Sequence, residues 1–392
     1  MNEEKIWSKD FTGITVSHAF YALAVYMLVP TIPLLLVSLG ATESQVGVVV
    51  TAYYVSSILT RLLVNAVIEK TGKKRVLIAG FLLSAIVMAL YGFVESTGAI
   101  TALRVIQGVG HGMSAAIATT MAVDFLPDSR RGQGVGYFSM GMIVAMSIAP
   151  AIALQLKGSY GFRIMFLAAA GINFIAAVMV FFISEPVIVR AKPKEKREGR
   201  LKNLDWRNMY DRRLIIPSVI ILLFGICRSV DMNYISLFAE ERNLAYLSWY
   251  FVIQTATTFL VRLVMGKFAD RKGRDWVLIP GGFAMLAALV TLSFAETSGI
   301  MLLGAFLSGL GLGVLAPNLQ VWVFGIVEPE KRSVAGATHY SVVDIGSALG
   351  APLMGLAAEN FGYPVMFRAG AFAALLYIVV YAAIGREKKA RS

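Results

Sequence analysis

The sequence is poor in charged residues, cysteine and histidine, and each shortage excludes a class of protein. Only 15% of the 392 residues are charged, whereas 57% are hydrophobic. A soluble chain of this size carries about 25% charged and about 45–50% apolar residues, so this chain has too much apolar surface for a soluble core. The single cysteine, Cys227, excludes an intramolecular disulfide framework. The three histidines lack metal-ligand spacing, and no G-K-[ST] phosphate-binding motif occurs. We therefore predict a membrane protein that is not an enzyme and needs no metal or cofactor.

Long apolar runs fill most of the chain. A membrane-spanning helix needs roughly 20 mostly apolar residues, and these runs have that length without the alternation of a β-barrel strand. A backbone in lipid must satisfy its own polar groups, so we predict an all-α membrane protein with twelve transmembrane helices. The predicted spans are 12–38, 45–67, 75–94, 98–125, 132–156, 162–183, 214–239, 245–268, 276–295, 299–326, 334–359 and 364–384.

Basic residues are concentrated on one side of the predicted spans. With the N-terminus inside, 28 of the 36 Lys and Arg residues lie in inner regions, four in or beside outer loops and four within spans. This bias predicts a multi-pass protein of the cell membrane with both termini in the cytoplasm. The net charge of +12 then reflects topology, and we expect the surface to contact membrane lipid and not nucleic acid.

The longest polar stretch, residues 189–213, holds ten basic residues and separates two sets of six spans. We predict a basic cytoplasmic linker there. The linker divides the chain into an N-terminal six-helix bundle, residues 1–188, and a C-terminal six-helix bundle with a short cytoplasmic tail, residues 214–392.

The two sets of spans repeat each other at an offset of 201 residues. The matched positions are Arg61 with Arg262, Gly72 with Gly273, Glu95 with Glu296, Arg131 with Arg332, Gly161 with Gly362, Phe166 with Phe367, and GVGHG (108–112) with GLGLG (309–313). Six spans per half is an even number, so both halves enter the membrane from the same side. The repeat is therefore parallel, about an axis along the membrane normal. The glycine segments are expected to let helices pack closely.

A charged hinge occurs twice, between the second and third span of each set. The second copy, GKFADRKGRD, holds Gly266, Asp270, Arg271, Gly273 and Arg274, and the first copy, NAVIEKTGKK, holds Glu69, Gly72 and Lys73. The hinges resemble the G-x-x-x-D-[RK]-x-G-R-[KR] motif of the major facilitator superfamily. The segment Arg104, Gln107 and Gly108 is similar to the R-x-x-Q-G element of its efflux branch.

The resemblance covers essentially the whole chain and implies secondary transport by alternating access of two six-helix bundles. It also implies a central cavity lined by the first and fourth helices of each half. Asp270 is then expected to face the positive N-terminal end of helix eleven, and Asp124 to pair with Lys73 or Lys74. Such contacts would stabilise the state in which the inner side is closed. The alternative is that the hinge charges only fix topology.

Ionisable residues inside spans are costly and usually mark function. The candidates for substrate binding or coupling are His18, Arg104, Gln107, His111, Arg228, Asp231 and Asp344. Helical spacing places Arg104, Gln107 and His111 on one face. Arg228 and Asp231, three residues apart, are expected to pair. The alternatives are a static ion pair and packed, neutral histidines. Arg61 and Arg262 are expected to extend toward the inner headgroups.

We therefore expect a monomeric secondary transporter of a small molecule. The leading expectation is proton-coupled efflux of an amphipathic compound or metabolite, because histidine titrates near neutral pH and the helix-four element resembles exporters. One alternative is a proton-linked importer of a small anion that uses Arg104 and Arg228. The other is a non-transporting membrane sensor.

Overall fold

The computed structural model describes residues 6–127, 130–185, 212–328 and 332–385. Long α-helices make up nearly all of this part of the chain. They are α1 (Lys9–Ser38), α2 (Glu43–Thr71), α3 (Lys73–Tyr91), α4 (Thr97–Asp124), α5 (131–160), α6 (162–181), α7 (Ile215–Glu241), α8 (Leu247–Lys272), α9 (Asp275–Ser293), α10 (Ser298–Ile326), α11 (Arg332–Phe361) and α12 (Tyr363–Val380). Most of the predicted linker, up to residue 211, lies outside the described residues.

The twelve helices correspond to the twelve predicted spans. Ten stretches of the described residues are long and apolar enough to cross a membrane, and one of them, Gln133–Phe181, contains both α5 and α6. These two helices form one continuous run that is broken only at Gly161. Helix α4, which packs against α2 and α3, completes the twelve. The protein is an all-α, multi-pass membrane protein, as predicted.

The contacts between helices repeat after six helices. In the first half α1 packs against the α5–α6 run, α2 against α4, and α3 against α4 and the α5–α6 run. In the second half α7 packs against α11 and α12, α8 against α10, and α9 against α10 and α12. Contacts of α2 with α11, and of the α5–α6 run with α8, join the two halves. This is the predicted architecture of two six-helix bundles in a parallel repeat.

Glycines at equivalent positions allow the closest of these contacts. An added Cβ on Gly108 of α4 would lie 2.4 Å from the carbonyl oxygen of Tyr53 on α2. An added Cβ on Gly309 of α10 would likewise lie 2.4 Å from the carbonyl oxygen of Gln254 on α8. The GVGHG and GLGLG segments are therefore helix-packing surfaces, as predicted.

Two pairs of glycines in the left-handed region mark equivalent turns. Gly72 between α2 and α3 has φ 87°, and Gly273 between α8 and α9 has φ 88°. Gly161 between α5 and α6 has φ 80°, and Gly362 between α11 and α12 has φ 78°. Residues with a side chain rarely adopt this conformation, which explains why glycine recurs at the 201-residue offset.

The two bundles meet at one end of the molecule. We call the face where α1 begins and α12 ends the termini end, and the opposite face the far end. At the far end Lys157 Nζ donates to Glu240 Oε1 across the bundles at 2.9 Å. Gly355 of α11 packs so tightly on α2 that an added Cβ would lie 2.3 Å from the carbonyl oxygen of Glu43. The far end of this structure is closed.

Candidate substrate and coupling site

Six charged side chains of the described helices lie at least seven residues from either helix end. They are Arg61 on α2, Arg104 on α4, Arg228 and Asp231 on α7, Arg262 on α8 and Asp344 on α11. A charge at this depth is costly in lipid and is normally turned toward the bundle interior. The partners of these six side chains therefore indicate what each can do.

Arg104 lies in a buried polar cluster between α2, α3 and α4. Its Nη1 donates to Gln107 Oε1 at 2.9 Å, and its guanidinium lies 5.1 Å from the centre of the Tyr53 ring. The Tyr91 hydroxyl donates to the same Gln107 oxygen at 2.9 Å. Arg104 Nε and Gln107 Nε2 have no hydrogen-bond partner in the described part of the chain. The cluster therefore keeps donors that a substrate or water can use.

Asp231 lies in a second buried cluster, between α7, α8 and α10. Its carboxylate accepts hydrogen bonds from the Tyr250 hydroxyl, from Gln254 Nε2 and, at 2.7 Å, from Ser308 Oγ. The predicted ion pair with Arg228 is wrong, because within the described ranges Arg228 is not within ion-pair distance of this carboxylate. Asp231 turns toward α8 and α10, where three neutral donors meet it.

The Arg104 and Asp231 clusters occupy equivalent places in the two halves. At the offset of 201, Tyr53 corresponds to Gln254 and Gln107 corresponds to Ser308. The first bundle thus buries a cation among neutral partners, and the second buries an anion beside residues equivalent to two of those partners, although Arg104 itself corresponds to Ala305 and Asp231 to Pro30. Our sequence analysis did not predict the residues around Asp231. Two of them, Gln254 and Ser308, could have been found from the 201-residue repeat.

Arg61 and Asp344 form an ion pair between the two bundles. Arg61 Nη2 lies 2.5 Å from Asp344 Oδ2, and it also donates to Ser57 Oγ at 3.1 Å. The prediction that Arg61 extends to the headgroups is wrong, because α2 lies against α11 and offers an acidic partner inside the bundle. Nearer the far end, Thr51 Oγ1 donates to the carbonyl oxygen of Ala348 at 2.6 Å. Of these contacts between α2 and α11, the ion pair lies nearest the termini end.

His18 and His339 are buried and His111 is partly buried, and the three have different surroundings. His111 Nδ1 lies 2.8 Å from the Tyr21 hydroxyl, and the Tyr21 ring centre lies 6.1 Å from both the His111 and His18 rings. His18 also stacks on Phe138 at 4.6 Å. His339 of α11 was not among our candidates. It is buried, and its Nδ1 has no hydrogen-bond partner in the described part of the chain.

Arg228 on α7 and Arg262 on α8 form no ion pair among the described residues. The Tyr26 hydroxyl of α1 lies within electrostatic range of both guanidinium groups. Arg228 is also within range of Tyr54, Asp344 and Asp231. Arg262 Nε is buried without a hydrogen-bond partner among the described residues. No contact in the described part of the chain fixes the position of the Arg262 guanidinium, so its extension to the headgroups stays a prediction.

The first charged hinge forms contacts within its own bundle. Lys73 Nζ lies 2.6 Å from Asp124 Oδ2, which is the expected pairing. Gly72 ends α2 and precedes α3, and an added Cβ there would lie 2.6 Å from Glu185 Oε1. Glu69 lies in the last turns of α2 and also makes a contact. These contacts fix the α2–α3 turn at the termini end.

The second hinge is described in part. Gly273 and Arg274 separate α8 from α9, and Arg274 lies over the Trp322 ring at 4.5 Å and donates to the carbonyl oxygen of Gly385 at 3.0 Å. Arg274 therefore packs against Trp322 and the residues that follow α12 at the termini end. The surroundings of Gly266 and the side chains of Asp270 and Arg271 are not described, so the expected contact of Asp270 with α11 stays a prediction.

Comparison with known proteins agrees with this architecture. Residues 14–253 and 242–392 match the family described as Major Facilitator Superfamily. The chain is 26% identical over 380 residues to the multidrug resistance protein MdtG of Salmonella paratyphi C, covering 92% of this chain and 91% of that protein. It is 23% identical over 345 residues to the staphylopine export protein of Staphylococcus aureus, covering 86% of each chain.

Solved structures share the fold at low sequence identity. The nucleoside transporter NupG has a TM-score of 0.78 at 15% identity, covering 96% of this chain and 99% of that chain. The human organic anion transporter MFSD10 has a TM-score of 0.70 at 17% identity, covering 95% of this chain and 98% of that chain. At these identities the likeness establishes the fold alone.

Proposed function

The chain belongs to the Major Facilitator Superfamily, whose members are transporters and not enzymes, and on that premise we propose that it is a proton-coupled exporter. Its substrate is a small amphipathic compound or metabolite, and it works as a monomer in the cytoplasmic membrane. Both termini, and therefore the termini end of the bundle, lie on the cytoplasmic side. This orientation rests on the concentration of basic residues in the inner regions.

Two features support export over import. Two relatives that match most of the chain are named for multidrug resistance and for staphylopine export. Contacts between the bundles close the far end, and we propose that the substrate enters from the termini end, which is the cytoplasmic side in this proposal. An exporter loads its substrate in this state.

The ion pair of Arg61 and Asp344 is the observation that carries the coupling proposal. It joins α2 of one bundle to α11 of the other in the state that is closed at the far end. A proton on Asp344 removes the negative charge and leaves Arg61 without a counter-charge, which is costly inside the bundle. The pair therefore favours the far-end-closed state only after the proton has left. Proton release to the cytoplasm is thus linked to substrate loading.

The direct test is transport in inverted membrane vesicles with an acidic interior. Growth of a drug-sensitive host with and without the gene, across a panel of toxic compounds, first identifies a transported compound. We expect vesicles that contain the protein to accumulate this compound, and an ionophore that dissipates the pH gradient to abolish accumulation. Compound that leaves the vesicles when the interior is acidified would show an importer and contradict the proposal.

Matched variants isolate the proposed role of the ion pair. Asp344→Asn should abolish accumulation driven by the pH gradient. Glu240→Gln is the control, because it removes another ion pair between the bundles, of 2.9 Å, on the exposed far surface. Equal loss in both variants would show that any contact between the bundles has the same importance, and would reject Asp344 as the coupling group.

A further inference from the structure

The first turn of α2 bonds to the second bundle at the far end. Ser44 N donates to Glu359 Oε2 of α11 at 3.2 Å, and the Tyr363 hydroxyl of α12 donates to Glu43 Oε1 at 3.2 Å. We call Glu43, Ser44, Glu359 and Tyr363 the far-end latch. Both of its contacts join one bundle to the other, and in both the acceptor is a carboxylate. The closure of the far end therefore uses two groups that can bind a proton.

The Ser44 amide takes its acceptor from the other bundle. The first amides of an α-helix have no acceptor within the helix. The capping box of α2 satisfies the amides of Thr42 and Gln45, because each donates to the side chain of the other, whereas Ser44 N donates to Glu359. A carboxylate at this position also interacts with the positive end of the helix dipole. The second bundle thus supplies a charge that completes the first turn of α2.

Close packing between α2 and α11 holds the latch in position. Gly355 lies one turn before Glu359, and an added Cβ there would lie 2.3 Å from the carbonyl oxygen of Glu43. One turn after Glu43, an added Cβ on Gly47 would lie 2.6 Å from the carbonyl oxygen of Ala351. The two backbones are therefore in contact on both helices next to the latch. Glu359 itself is exposed, so protons reach its carboxylate directly from the aqueous phase.

Hydrogen bonds, and not cations, stabilise the ionised latch. Within the described ranges neither Glu43 nor Glu359 forms an ion pair. The groups that face the two carboxylates come from α2, α7 and α12, and they are Thr42, Ser44, Tyr234, Glu241 and Tyr363. Glu241 lies 3.8 Å from Arg242 Nε. A proton that binds to the latch thus does not have to displace a lysine or arginine from the described part of the chain.

We propose that the far-end latch is a pH-sensitive gate, which acid on the aqueous side of the far end opens. Ionised Glu43 and Glu359 accept charge-assisted hydrogen bonds, which are about twice as strong as neutral ones. A proton on either carboxylate removes the charge and weakens a contact that is made only while the bundles meet. The closed state is therefore favoured at neutral pH and loses part of its stability as the pH falls. By linkage, opening of the far end strengthens proton binding at these two groups.

The distance between two spin labels measures the gate directly. The labels are attached at Gly98→Cys and Gly299→Cys, in a Cys227→Ala background, to purified full-length protein in phosphatidylcholine nanodiscs. The pH is lowered from about 7.5 to about 4, which includes the ordinary titration of glutamate at about 4.3. We expect the ratio of open to closed molecules to rise about two- to fivefold, the effect of one charge at a helix N-terminus. No change, or a narrower far end in acid, would overturn the proposal. Acid would narrow the far end if repulsion between Glu43 and Glu359 were the larger effect.

Two variants connect the response to the latch. Glu43→Gln combined with Glu359→Gln should open the far end at neutral pH and remove most of the pH response. Ser44→Pro removes the amide donor without changing a carboxylate. Proline is tolerated in the first turn of a helix, and Pro364 has the same second position in α12. Ser44→Pro should therefore also open the far end at neutral pH. A far end that stays closed in both variants, or a full pH response in the double variant, would overturn the proposal.

The control is Glu240→Gln, which removes the exposed ion pair of 2.9 Å between Lys157 and Glu240 at the same end. It should keep the pH response, because an exposed pair contributes little. If Glu240→Gln loses as much of the response as the double variant, any loss of negative charge has this effect and the gate is rejected.

Asp344→Asn separates the gate from the proposed coupling group, because a proton on Asp344 also disfavours the far-end-closed state in the proposed function. A pH response that is lost in Asp344→Asn and kept in the double latch variant would overturn the gate and leave the coupling proposal standing. The measurement needs no substrate, proton gradient or transport direction. Failure of the gate is therefore distinguishable from failure of the proposed export.

Discussion

Arg61 on α2 and Asp344 on α11 form an ion pair of 2.5 Å that joins the two six-helix bundles. Arg61 lies roughly 27 Å along α2 from its first residue, at about 1.5 Å per residue. The pair is therefore well inside the protein and toward the termini end. The equivalent arginine of the second half, Arg262, has no such partner in the described part of the chain. The charge contact at Arg61 between the bundles thus has no counterpart at Arg262 among the described residues.

We predict that Arg61→Gln shifts the protein away from the far-end-closed state. Loss of a contact present in only one state changes the equilibrium by about 1–3 kcal/mol, or about 5–150-fold. Spin labels at Gly98→Cys and Gly299→Cys, in a Cys227→Ala background, would report the width of the far end. An added Cβ on Gly98 meets no atom within 4 Å, and one on Gly299 meets only Thr297 Oγ1 at 3.9 Å.

The charge-exchanged variant, Arg61→Asp with Asp344→Arg, is the control for this prediction. It should restore the narrow distance distribution, because the pair is re-formed in the opposite sense. An unchanged distribution in both single variants would show that the ion pair does not bias the equilibrium.

We predict that Gly355→Ala opens the far end. An added Cβ would lie 2.3 Å from the carbonyl oxygen of Glu43 and 2.7 Å from the Tyr234 hydroxyl, and a backbone atom cannot give way as a flexible side chain can. The same spin labels should show a wider far end. Gly171→Ala is the control, since an added Cβ there meets no atom within 4 Å. A narrow distribution for Gly355→Ala would mean that α2 and α11 adjust without separating.

We predict that Asp231 and Arg228 contribute to stability almost independently. Asp231→Asn replaces charge-assisted hydrogen bonds from three neutral donors by weaker ones and should lower the free energy of unfolding by about 1–3 kcal/mol. A double-mutant cycle with Arg228→Gln should give a coupling below about 1 kcal/mol, because the two groups are not in ion-pair contact. A coupling of several kcal/mol, measured by thermal unfolding in detergent, would restore the ion pair that the sequence suggested.

We predict that the glycine of the first hinge is more important for stability than its ion pair. Asp124→Asn removes a partly exposed pair and should cost less than about 1 kcal/mol. Gly72→Ala should cost about 1–2 kcal/mol, because φ is 87° and the new Cβ would lie 2.6 Å from Glu185 Oε1. Gly40 has a similar φ of 83°, but an added Cβ there meets no atom within 4 Å. Gly40→Ala therefore measures the backbone strain without the clash that Gly72→Ala makes with Glu185. Equal losses in these two glycine variants would show that contact with Glu185 has no effect.

The parts of this protein that depend on local pattern could be predicted from the sequence. Twelve apolar runs predicted the twelve helices, because the polar backbone groups of a segment in lipid must form hydrogen bonds with each other. The 201-residue offset gave the repeat, and with it the packing of Gly108 and Gly309 and the turns at Gly72 and Gly273. The Lys73–Asp124 pair was also expected, since its residues lie at the ends of adjacent helices.

Which side chains on different helices contact each other was decided only by the tertiary structure. The i, i+3 spacing of Arg228 and Asp231 predicted a pair within α7, but donors on α8 and α10 bind the carboxylate instead. Helical spacing says which residues share a face and does not say which helix that face meets. Arg61 looked like a residue near the inner surface until α11 placed Asp344 beside it. The sequence by itself determined the helices, their order and their repeat, because these follow from hydrophobicity and backbone chemistry. The contacts of the buried charged side chains were determined only by the packing of distant segments. A buried charge is stabilised by polar or charged groups on whichever helices pack beside it.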